Sequence, residues 1–86
     1  MITRQNIATK VLDYMNHRLS LAVLVDWAES SIMEGDTEDG YSKVIMQALG
    51  RIAAADVKEF GLLWEDCESI MSSLGFTIKV EVDKAA

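Results

Sequence analysis

A mainly α fold is predicted: one domain of four helices, over about residues 3–18, 20–34, 38–54 and 63–74, closed by a single C-terminal β-strand at 76–82. Three observations predict it. Apolar residues recur at helical spacing in four separate stretches, enough to line one face of each with hydrophobic side chains. The chain has no proline, so caps and glycines must set the limits, and Gly35 and Gly75 stand where two of the stripes stop. Beyond Gly75 the apolar period changes from 3.6 to 2. At 86 residues the chain supports one core and leaves no room for a large enclosed active site.

Thr3 is the N-cap expected for the first helix, with Ile7, Val11 and Tyr14 on one stripe and Ala8, Leu12 and Met15 beside it. Ser20 caps the second, whose stripe is Leu21, Val25, Ala28 and Ile32. The third is the most regular: Tyr41, Val44, Ile45, Ala48, Leu49 and Ile52 fall at i, i+3, i+4, i+7, i+8 and i+11. Leu63, Cys67, Ile70, Met71 and Leu74 repeat the spacing in the fourth, with Glu65, Asp66 and Glu68 toward its positive N-terminal end. Residues 56–61 then read as a short connection between helices. In the strand, Phe76, Ile78, Val80 and Val82 alternate with Thr77, Lys79, Glu81 and Asp83, so one face is apolar. A lone strand leaves its backbone donors and acceptors without a ladder. Another copy, a partner chain or an extended piece at residues 1–3 is expected to pair with it.

Eight Lys and Arg against 14 Asp and Glu give a net charge of −6, which repels a phosphate backbone or an anionic membrane. One Cys cannot form an internal disulfide, and one His with one Cys cannot build the usual zinc site. Residues 1–18 lack the apolar stretch of a signal peptide, and the longest apolar run, 21–25, is far short of a bilayer span. The expectation is a cytoplasmic protein, in agreement with a free thiol.

The acids are unevenly placed. No base occurs between Arg18 and Lys43, while Asp26, Glu29, Glu34, Asp36, Glu38 and Asp39 all fall there. Such a surface steers a basic partner, although solubility alone also explains an acidic face. The acidic loop does not fit a calcium-binding register: counted from Glu34 it has Asp39 in place of the turn glycine, and counted from Asp36 it has Gln47 in place of the closing carboxylate. Val23 and Trp27 lie off the centre of the second helix's stripe, so that helix is apolar on more than one side. Either it is central in the fold, or its second side is an interface on which Trp27 could anchor a cation. Cys67 lies on a core stripe and reads as an inert thiol, and His17 near a helix C-terminus needs no chemistry to explain it. No nucleophile elbow or phosphate-cradling glycine loop is present, so no catalytic, cofactor or metal residue is assigned and no enzyme is expected.

The segments LSLAVLVDWAESSIMEGD and ADVKEFGLLWEDCESIMSSLGFTIKVEV resemble a group of short, acidic, uncharacterised bacterial proteins, in their L-V-D-W-A-E helix and in the F-G-L-x-W-E-D-C entry to a helix before a terminal strand. The resemblance covers about half the chain and implies a bacterial source and a small helical fold, with no activity. Leu63 stands where a Ser or Thr cap would be expected in that motif. In size, acidity and helical content the chain also resembles immunity-type proteins, which neutralise basic nuclease toxins.

The functional expectation is non-enzymatic protein–protein association. Its first form is a homodimer joined through the C-terminal strand, with Phe76, Ile78, Lys79, Val80, Glu81 and Val82 at the interface. Its second is an immunity- or antitoxin-like role, in which Trp27, Asp26, Glu29, Glu34, Asp36 and Glu38 bind a basic protein.

Overall fold

The computed structural model describes residues 1–55 and 62–77. Four helices follow in order: α1 (Arg4–Met15), α2 (Leu21–Glu34), α3 (Ser42–Ala54) and α4 (Trp64–Ser73). Their limits follow from local hydrogen bonding. At the start of α1, the Asn6 N–H donates to the Thr3 hydroxyl oxygen at 3.0 Å, and the Asn6 side-chain oxygen accepts from the Thr3 N–H at 2.9 Å. Ser20 accepts from the Val23 N–H at 3.2 Å at the start of α2, and Gly35, with φ +69°, ends it. The Leu63 N–H donates to the Asp66 carboxylate at 3.0 Å. Asp66, at the third helical position, thus supplies the return half of a capping box, while Leu63 offers no side-chain acceptor to the first-turn N–H groups.

Two helix limits differ from the sequence expectation. α1 stops at Met15 rather than near residue 18, because His17 takes a left-handed conformation (φ 60°) and turns the chain toward α2. The Arg18 N–H donates back to the Asp13 carbonyl at 2.8 Å, closing that turn. α3 begins at Ser42 rather than 38, because residues 38–41 form a turn through Gly40 (φ +82°), with the Tyr41 N–H donating to the Glu38 carbonyl at 3.1 Å.

The core is one cluster drawn from all four helices. Ile7 and Val11 of α1, Leu24 and Ala28 of α2, Ile45, Leu49 and Ile52 of α3, and Ile70 and Cys67 of α4 are buried in it. α2 and α3 form the most extensive helix pair, α1 touches every other helix, and α4 packs on α1 and α3. Among the described residues α2 and α4 do not meet, so α2, like α4, lies on the outside of the α1–α3 pair. Its buried arc is Leu24, Val25, Ala28 and Ser31, rotated from the expected stripe: Leu21 and Ile32 are only partly buried.

An extended N-terminal residue is present. Ile2 pairs in parallel with Thr37: its N–H donates to the Asp36 carbonyl at 2.7 Å, and its carbonyl accepts from the Glu38 N–H at 2.9 Å. This single bridge ties the α2–α3 loop to the start of α1. The expected strand begins at Phe76, which is not in a strand; its N–H donates to the Met71 carbonyl at 2.9 Å and its ring packs on the core as the chain leaves α4. Ile78, Lys79, Val80, Glu81 and Val82, and the connection over 56–61, lie outside the described residues. No described helix is long and apolar enough to cross a membrane.

Candidate functional site

Because α2 is peripheral, the half of it that does not meet α1 and α3 faces outward. Val23, Asp26, Glu29, Ser30, Met33 and Glu34 are all exposed there. Val23 is 51% and Met33 88% exposed, high values for large hydrophobic side chains. One turn of helix separates Asp26 from Glu29 and Ser30, and a second brings in Met33, so apolar and acidic groups share one stripe. No base occurs within α2 or for seven residues after Gly35.

The remaining residues of the expected acidic surface are placed differently. Trp27 is partly buried against the core, and the Lys10 ammonium of α1 lies 5.7 Å from its ring centroid. The cation expected to come from a partner is therefore supplied within the chain. Asp36 lies 3.4 Å from the Met1 amino group. Glu38 accepts from the Arg4 backbone N–H at 3.1 Å and from its Nε at 3.2 Å, while the same guanidinium sits 3.6 Å from the centroid of the Tyr41 ring. The structure thus brings Asp26, Glu29 and Glu34 together on one outward helix and turns Asp36 and Glu38 to internal tethering. Val23 and Met33 complete the outward stripe. Their signal in the sequence was an apolar pattern wider than one helix face needs.

The Arg4 backbone N–H holds the Glu38 carboxyl below its ordinary value near 4.5; burial opposes this shift, and the guanidinium of Arg4 reinforces it. A depressed folded-state value means that the contribution is present above the unfolded-state value and is lost as pH falls through the folded-state one. Thermal unfolding followed across this acidic range should show Glu38→Gln less sensitive to pH than the parent. Parallel profiles for the two would refute the tether as a source of acid sensitivity.

A concave feature lies where α1 ends and where α2 and α4 begin. It is a cleft of about 520 Å³ lined by residues that include Tyr14, Arg18, Ser20 and Trp64. The Tyr14 hydroxyl donates to the Leu62 carbonyl at 3.2 Å across its wall. Burial pushes the Tyr14 hydroxyl up, with the nearby Cys67 adding to the shift; burial also pushes the Cys67 thiol up, with Asp66 adding to it. A protonated thiol is a poor nucleophile, and Cys67 is buried in the core cluster. Among the described residues no group of three or more His, Cys, Asp or Glu side chains is arranged to hold a metal ion. Comparisons with protein-family models, with curated proteins and with solved structures found no match.

Proposed function

We propose that the protein is a non-enzymatic protein–protein interaction module that binds a basic protein on the outer face of α2. The observation that carries this reading is the peripheral placement of α2 together with its second apolar side. A helix at the edge of a fold needs only one apolar arc, yet Val23 and Met33 add another and are bordered by Asp26, Glu29 and Glu34. Apolar contact would supply the buried centre of such an interface, and the carboxylates would speed and orient the approach of a basic partner. Asp36 and Glu38 contribute to the long-range field while remaining in their internal contacts.

The test is affinity purification from the native host followed by binding measurements with the purified partner. A basic protein should bind, its affinity should fall as salt rises, and Asp26→Lys with Glu29→Lys should weaken it by about tenfold or more. The control pair Glu65→Lys with Glu68→Lys makes the same change in net charge on α4. Equal loss from both pairs, or a partner indifferent to salt and to the α2 pair, would overturn the assignment.

Self-association through residues 76–82 is a second reading, favoured by one feature. Both backbone hydrogen-bonding groups of Ile2 are engaged by the 36–38 loop, so this extended residue does not offer them to a C-terminal strand. Sedimentation of the free protein at micromolar concentration scores it: a dimer supports the strand pairing and monomer alone removes it.

A further inference from the structure

The cleft between the ends of α1, α2 and α4 differs in chemistry from the outer face of α2. In a chain with 14 acids and 8 bases, the described residues that line it include Arg18 and His17 and no carboxylate. Asp66, next in sequence but one to Trp64, is turned to cap the Leu63 N–H, and Asp13 approaches the Arg18 guanidinium only at 4.0 Å. Arg18 is largely exposed, so most of its five donors face solvent. Ser20 is the N-cap of α2, which places the positive end of a 14-residue helix at the same rim.

The other part of the lining is apolar. Met15, Leu19, Leu62 and Trp64 contribute to it, and Trp64, at the first turn of α4, is 49% exposed. A large aromatic ring left half in water, in a cleft that a guanidinium also lines, is suited to stacking against a flat apolar body. A volume of about 520 Å³ falls within the range of small-molecule sites. A single guanidinium suits one negative charge rather than a polyphosphate, and the apolar wall requires more than a bare inorganic anion.

His17 takes a left-handed backbone conformation, which L-residues adopt at some energetic disadvantage. That turn sets Arg18, Leu19 and Ser20 on the cleft as the chain passes from α1 to α2.

We propose that this cleft binds a small organic monocarboxylate with an aromatic-sized apolar body, its carboxylate on Arg18 and its body against Trp64. The proposal is independent of the surface on α2.

The probe is 3-phenylpropionate, with its neutral amide as the control. Trp27→Phe leaves Trp64 as the sole tryptophan, so fluorescence reports the cleft. The acid should change that fluorescence saturably with a Kd of about 10 mM or tighter, and the amide should bind about tenfold more weakly, as loss of a charge-assisted hydrogen bond implies. Arg18→Gln, at an exposed position that should leave helix content unchanged by circular dichroism, should reduce the acid to the level of the amide. Amide shifts in NMR spectra of the unsubstituted protein give a second readout: they should concentrate at residues 15–20 and 62–67. No saturable response with either readout, equal affinity for acid and amide, or indifference to Arg18→Gln would overturn the proposal.

Discussion

Leu49→Ala is expected to remove about 2–5 kcal/mol of stability, the largest single effect predicted for this protein. Leu49 is fully buried on α3, the helix that forms the most extensive pair in the fold with α2. Truncation would take away transfer free energy and leave a cavity that relatively rigid helices can only partly close. Domains of this size hold a net stability at the low end of about 5–15 kcal/mol, so the variant would populate unfolded molecules measurably without denaturant. Urea unfolding followed by circular dichroism measures the change. A loss below about 1 kcal/mol would show that the site collapses around the alanine and that the packing is looser than the burial implies.

Ala48→Leu should destabilise from the opposite direction, by about 1–3 kcal/mol. Ala48 is 1% exposed on the same face of α3, among neighbours that include the fully buried Ile45 and Ile52. Extra methylenes there have no solvent to enter, so they must displace side chains or shift α3. The expected signature is a lower urea midpoint with little change in the slope of the transition, since the surface exposed on unfolding stays nearly the same. An unchanged or raised midpoint would mean that the core holds unfilled space beside Ala48.

The legibility of this fold varied from helix to helix. In α3 four residues of the expected stripe, Ile45, Ala48, Leu49 and Ile52, are the buried face, because the opposite side carries Lys43, Gln47, Gly50 and Arg51; Tyr41 lies exposed before the helix, and Val44 and Met46 on its flanks are only partly buried. In α2 the run from Leu21 to Val25 is apolar around most of the helix, so periodicity could not decide which arc meets the neighbours. Tertiary packing settled on Leu24, Ala28 and Ser31 instead of centring on Leu21 and Ile32. The end of α1 was hidden because a histidine performs the left-handed turn that sequence reading assigns to glycine. The bridge at Ile2 was equally hard to read: a single paired residue carries no period-2 pattern.

The candidate surfaces follow the same division. The concentration of acids between Arg18 and Lys43 is plain in the sequence, but which of them face outward depends on contacts between distant segments. Arg4 reaches Glu38 across 34 positions, and no local rule couples the two. The cleft was invisible for a similar reason. It is assembled from three helix ends, and residues 14–20 meet Leu62 and Trp64 only after folding.

The geometry around Arg4 makes the chain's basic residues unequal. A planar guanidinium can lie flat over the Tyr41 ring while its Nε donates in-plane to Glu38, whereas a lysine ammonium, compact and strongly hydrated, has no plane to share between the two. Charge conservation at position 4 would therefore not conserve the junction. Of the cations that formally offset the acids, this one functions as a fastener between the first helix and the loop before the third.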